Sequence, residues 1–328
     1  MTLLSLLLTG CSQGHGSKHG SGPGIPEPGV GKIAAFKLHD LSSKYDLDKG
    51  VGDSLGGHVT SGRSGNVYVV NGDADSIQVL RVSPKGAVSR TATLGGLKRV
   101  YGMTVLPTGE VMLGSAGQLY KLDLHGKVSS VRSSHVFQHP NPIGVRPDGS
   151  VIVTDGDGIW SVNGAEAVHL YVEHDASSDA AGAVDASGTA YVNVAGKGFA
   201  ELLVLSPGKK AEKVKVSGEL PGSNGSISGL SPVSFAAASS GGVYAVATSH
   251  RDHAGYVVHV QGANGTVMAK AAFGKQRACR TGKPYPALDN PCSMPWFVVQ
   301  SGNRVLAMGR ASAELPPLPA LVLRADKK

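Results

Sequence analysis

The chain has 328 residues, is 41% hydrophobic and 17% charged, and carries a formal net charge of +7. The charged share is below the ~25% of an ordinary globular chain, which excludes the high-charge disordered class. Its 46 glycines and 18 prolines follow no G-x-y period, which excludes collagen. Beyond the extreme N-terminus no apolar run reaches the ~18 residues of a membrane-spanning helix.

Residues 1–11, MTLLSLLLTGC, read as the end of a bacterial secretion signal. Leu3 to Leu8 are a short apolar stretch, and Leu8-Thr9-Gly10-Cys11 has the pattern of a lipobox. Small residues before the cysteine admit the peptidase, and the Cys11 thiol accepts the diacylglycerol. No Lys or Arg precedes the apolar stretch, which is also short; a true start upstream of Met1 accounts for both. Residues 12–31 are mostly Gly, Ser, Pro and His with almost nothing to bury, so they are expected to form a flexible tether. His15 and His19 are read as part of that solvated linker. The chain is therefore expected to sit on the extracytoplasmic face of the cell membrane, lipid-anchored. Setting Cys11 aside leaves Cys279 and Cys292, an even pair that an oxidising compartment would join as a disulfide.

Residues 32–328 are organised by an internal repeat. Six segments share a small residue, a glycine and an apolar run: SGNVYVV, TGEVMLG, DGSVIVT, SGTAYVN, SGGVYAV and SGNRVLA. Their glycines are Gly65, Gly109, Gly149, Gly188, Gly241 and Gly302, at intervals of 44, 40, 39, 53 and 61 residues. A short strand precedes each glycine turn, a second follows it, and a third and fourth flank a second turn such as Pro84-Lys85-Gly86. No segment has a convincing 3.6-residue period. Four antiparallel strands repeated radially predict an all-β fold, a six-bladed β-propeller. The sixth unit stops after its third strand at Ala320 to Ala325, while Lys32 to Leu41 is an orphan strand ahead of the first unit. The N-terminal strand is expected to close the last blade, covering two sheet edges.

The repeats resemble NHL-type units, best at Ser64 to Val70 followed by Asn71-Gly72-Asp73 and Ile77 to Leu80. The resemblance implies the propeller fold, which surface binding modules, kinase sensor domains, gluconolactonase-like metal hydrolases and seven-bladed streptogramin lyases share. Fold alone does not choose among them.

Propeller topology gathers the between-blade connectors and the loops joining second and third strands on one face, where a ligand is expected to bind. The starts of the inner strands offer His58, Tyr101, Asn141 and Asp179 at the channel. Asp73 with Asp75, and Asp155 with Asp157, are spaced as in metal-binding loops, but Asp-Gly turns are common without ions and turn chemistry is preferred. His250, Asp252 and His253 crowd one hairpin, which is read as a solvated loop. His135 and His139 are read as shaping the entry to a strand, and Trp160 and Trp296 as blade core. Lys275, Arg277, Arg280 and Lys283 cluster without an intervening acid, a candidate anion-binding patch. A metal hydrolase would need a glutamate and further oxygen ligands at the channel, and the inner-strand starts supply one carboxylate. No zinc or phosphate-loop motif occurs. The expectation is a monomeric binding module for a protein or an anionic cell-envelope polymer, with no cofactor, no metal and no nucleic acid. The alternative is a metal-assisted hydrolase or lyase, lactonase-like, with its site at the central channel.

Overall fold

The computed structural model describes residues 24–45, 47, 58–62, 64–73, 76–97, 99–172, 180–193, 197–249, 251, 253–272, 279–293, 295–308 and 320–325. These form six antiparallel sheets, the blades of a propeller. Blade 1 is Val59–Ser61, Val67–Asp73, Ser76–Val82 and Val88–Leu94. Blade 2 is Gly102–Val105, Val111–Ser115, Gln118–Leu122 and Val128–Val131, and blade 3 is Asn141–Val145, Val151–Asp155, Gly158–Asn163 and Glu166–Val172. Blade 4 is Gly182–Val184, Ala190–Asn193, Leu202–Leu205 and Glu212–Val214. Blade 5 is Ser231–Ala237, Val243–Ser249, Ala254–Gln261 and Asn264–Ala272. Within each blade the strands run in chain order from the axis outward. Among the described residues no helix is long and apolar enough to cross a membrane.

The repeating glycine has a backbone reason. In blade 3 the Arg146 N–H donates to Ser150 O (2.8 Å) and the Gly149 N–H to Arg146 O (3.0 Å), and blades 1, 2, 4 and 5 repeat this pair of bonds. The turn holds Gly149 at φ 87°, the left-handed region that a Cβ disfavours. Blade 6 departs from the pattern: Ser301 pairs directly with Arg304, so its turn shrinks to Gly302 and Asn303.

Radial position explains the strand compositions. Second strands lie between neighbouring blades on both faces, so Val111–Ser115, Val151–Asp155 and Arg304–Met308 are buried at every residue. They read as apolar runs, with polar residues confined to their ends, because each buried Val, Leu or Ile contributes ~1.5–3 kcal/mol relative to exposure. Outermost strands such as Glu166–Val172 face water and are largely exposed.

Ring closure follows the expected route. Blade 6 consists of Phe297–Ser301, Arg304–Met308 and Ala320–Arg324, and the N-terminal Lys32–Phe36 pairs antiparallel with Ala320–Arg324. A fifth strand, Pro284–Pro286, then covers the outer edge of Lys32–Phe36. The Cys279–Cys292 disulfide, with Cα atoms 4.9 Å apart, closes the loop that carries this strand.

Two of the connections joining second and third strands are short, since Asp73 pairs with Ser76 and Ser249 with Ala254. The segment from Ser217 to Leu230 is drawn to the outer hairpin of blade 5. Ser217 N–H donates to Ala263 O at 2.7 Å, and Leu220, Ile227 and Leu230 are buried in the core shared by blades 4 and 5.

Candidate functional site

The inner strands enclose a central channel of about 1050 Å³. Its loop-side mouth is built from the first residues of inner strands and the connectors before them: His58, Arg99, Tyr101, Asn141 and Trp296, joined by Asn193 from a second-strand end. Three of the four expected channel residues, His58, Tyr101 and Asn141, therefore lie together on one channel. Asp179 lies outside the described residues.

The mouth is held by bonds along the repeat. The Tyr101 N–H donates to Gly114 O at 2.8 Å, and the His58 carbonyl accepts the Val70 N–H at 3.0 Å. The Arg99 guanidinium lies 5.0 Å from the centre of the Tyr101 ring, within cation–π range. On another side His139 meets that ring edge-on, with centroids 4.8 Å apart. Asn141 and Asn193 each donate an amide N–H to the next blade: Asn141 to Ala180 O in the connector before blade 4 (3.3 Å), and Asn193 to Pro232 O in the inner strand of blade 5 (3.0 Å). The Asn193 amide oxygen is buried with no hydrogen-bond partner, an acceptor left at the wall of the channel.

Charge at the mouth is one-sided. Among the described lining residues the charged side chains are Arg99 and Asp185. Asp185 belongs to the opposite end, where its carboxylate accepts from the Ser187 N–H (2.9 Å), Ser187 Oγ (2.6 Å), the Thr189 N–H (3.0 Å) and, across the blade boundary, the Gly242 N–H (3.2 Å). That carboxylate is consumed by turn and blade contacts. The displaced titrations are structural too. The Ser150 hydroxyl and N–H lower the pKa of Asp148, and burial raises that of the Tyr191 phenol.

Behind the mouth lies the Asp155–Asp157 pair. Asp155, fully buried, accepts the N–H groups of Gln138 (2.8 Å) and His139 (2.5 Å) from the connector before blade 3. Ser115, at the corresponding place in blade 2, ties down its connector in the opposite sense, its hydroxyl donating to Arg99 O. In blades 2 and 3 a polar residue six positions after the turn glycine thus holds the preceding connector. Asp157 accepts from the Trp160 indole N–H at 2.9 Å. His135, read from sequence as merely shaping a strand entry, stacks on Trp160 beside both carboxylates.

Other expected site residues fall elsewhere. His253 is exposed in a turn at φ 46°, and Asp73 ends a strand; the Asp73 side chain and Asp75, His250 and Asp252 lie outside the described residues. Arg280 and Lys283 are exposed on the outer rim of blade 6, with the Lys283 ammonium 5.6 Å from the centre of the Tyr285 ring. Lys275, Arg277 and Cys11 lie outside the described residues. Trp296, expected in blade core, is 46% exposed and lines the channel. It sits in the connector immediately before an inner strand, where side chains turn to the mouth. Arg99 and Asn193 were missed. The signal for Arg99 was its place three residues ahead of the blade 2 inner strand.

No protein-family model matches the chain, and no curated protein sequence matches it. Solved structures do resemble it. A gluconolactonase from Xanthomonas campestris superposes with TM-score 0.53 at 13% identity, over 93% of this chain and 98% of that one. An auxiliary nutrient binding protein from Bacteroides thetaiotaomicron gives TM-score 0.56 at 12% identity, covering 92% and 78%. Virginiamycin B lyase from Staphylococcus aureus gives 0.52 at 12%, covering 83% and 97%. At these identities the likeness establishes the propeller fold alone.

Proposed function

We propose that the chain is an extracytoplasmic binding module, held at the membrane by a lipid on Cys11, whose NHL-like propeller takes anionic groups of a cell-envelope polymer at the loop-side channel mouth. The observation that carries this reading is the one-sided lining. Arg99 supplies a cation, His58, Asn141 and Asn193 supply hydrogen-bonding groups, and Tyr101 and Trp296 supply faces. No described carboxylate opposes an anion there. An arginine fork matches phosphate and carboxylate geometry, and charge-assisted bonds are about twice as strong as neutral ones. The nutrient binding neighbour uses this fold in a protein named for binding, which supports the reading without deciding the ligand. The lactonase-like alternative requires carboxylates converging on an ion at the channel, and among the described mouth residues none does so.

The test is calorimetric titration of the full chain with poly(glycerol phosphate), alongside an acidic polypeptide and a neutral polysaccharide. Binding to the phosphate polymer that falls about tenfold or more in Arg99→Ala is expected, since a hydrogen bond to a charged group contributes ~1.5–3 kcal/mol. Binding only to the acidic polypeptide would move the module to protein recognition. The anchor is checked by cell fractionation, in which Cys11→Ala should move the protein from membranes to the soluble fraction.

A further inference from the structure

Blade 3 carries a constellation that the binding reading does not use. His135 Nε2, a carboxylate oxygen of Asp155 and one of Asp157 all lie within 4.8 Å of one another. Nε2 stands 3.5 Å from Asp157 Oδ2 and 3.9 Å from Asp155 Oδ2, and it is buried without a hydrogen-bond partner. We propose that these three groups form a site for a divalent transition metal of the zinc class, set one layer behind the channel mouth.

Each ligand is oriented by something else, as ligands of built metal sites are. The His135 ring stacks on Trp160, with centroids 3.7 Å apart and planes 17° apart, and meets Phe137 edge-on at 4.7 Å. Asp155 is fixed by the backbone N–H groups of Gln138 and His139. The Trp160 indole N–H holds Asp157 Oδ1 at 2.9 Å, which leaves Oδ2 as the oxygen facing His135. One indole therefore positions two of the three ligands.

The charge and donor set agree. Two carboxylates and a neutral imidazole sum to a double negative charge, which a divalent cation neutralises in a place where Asp155 is shut away from water. Bonds of ~2.0–2.2 Å to N and O in a tetrahedral arrangement put donor atoms ~3.3–3.5 Å apart. The 3.5 and 3.9 Å separations need only a slight closing. An imidazole ligand suits zinc, copper, iron or nickel, whereas magnesium, calcium and manganese prefer oxygen ligands. Asp157, whose side chain is 44% exposed, gives the ion its way in. The bound ion would brace the connector before blade 3, because Asp155 also holds the His139 N–H and His139 packs on Tyr101 of the mouth.

The experiment is titration of the chelator-treated full chain with Co²⁺, read by visible absorption and by displacement with Zn²⁺. A His15→Ser, His19→Ser background removes tether histidines as ligands. One equivalent of bound Co²⁺, displaced by Zn²⁺, is expected, with affinity at least about tenfold weaker in Asp157→Asn and lost in His135→Gln. Asp157→Asn keeps an oxygen for the Trp160 indole, so it tests the ligand even if His135→Gln folds poorly. No Co²⁺ or Zn²⁺ uptake would overturn the proposal and leave His135 as an ion-pair partner of the two carboxylates. Uptake unchanged in Asp157→Asn would overturn it equally.

Discussion

Gly144, in the inner strand of blade 3, shows how closely residues set the spacing of the ring. A Cβ there would stand 2.6 Å from the Val184 Cβ and 2.9 Å from the Val184 backbone nitrogen, in the inner strand of blade 4. Neither neighbour is the end of a flexible chain, so the blades must part. Gly144→Ala should cost about 1–3 kcal/mol in urea unfolding. Gly229→Ala, whose Cβ meets nothing within 4 Å, should cost much less and serves as the control. At this scale the sequence was partly legible. His58, Tyr101 and Asn141 were placed at the channel because the repeat marks where each inner strand begins. His135 was not placed beside Asp155 and Asp157, because the contact joins a connector to a hairpin through stacking on Trp160. Neither spacing nor periodicity records such a contact.

Among elements, the closing blade concentrates the dependence on distant sequence. Lys32–Phe36 gains its inner partner from the C-terminal end of the chain and its outer cover from Pro284–Pro286. Further bonds tie the cover down: the Gly282 N–H to Ala35 O and the Ala287 N–H to Gly31 O, each 2.9 Å. The disulfide spans a sequence separation of 13 residues around that cover, and chain-entropy arguments give ~3 kcal/mol for a loop of this size. The Cys279→Ser, Cys292→Ser pair should therefore lower unfolding stability by about that amount and expose the Pro284–Pro286 segment to proteases, with the other blades still folded. Protease resistance equal to the parent would show that the cover holds without its cross-link. The orphan strand and the cysteine pair were legible, since one completes a truncated repeat and the other is an even remainder. The fifth strand was not. Two prolines within three residues argue against a strand by pattern, yet they are tolerated at an outer edge, where no further strand needs their missing N–H groups.

At the scale of the whole molecule, closure of the ring creates the channel, and the channel collects one short stretch from each inner strand. The blade count was legible because each turn glycine holds a positive φ, from 61° to 92°, so the repeat survives where side chains diverge. The ligand was not legible, because the mouth is assembled from connectors that each follow their own local bonds. The binding account makes one positional claim: ligand sits at the loop-side mouth, and the tight-turn end stays free. Amide hydrogen exchange with saturating poly(glycerol phosphate) tests that claim most directly. It predicts added protection at His58 to Thr60, Arg99 to Met103 and Asn141 to Ile143, with exchange unchanged at the turns around Gly109, Gly149 and Gly188. Protection confined to those turns, or to the rim around Arg280 and Lys283, would contradict it.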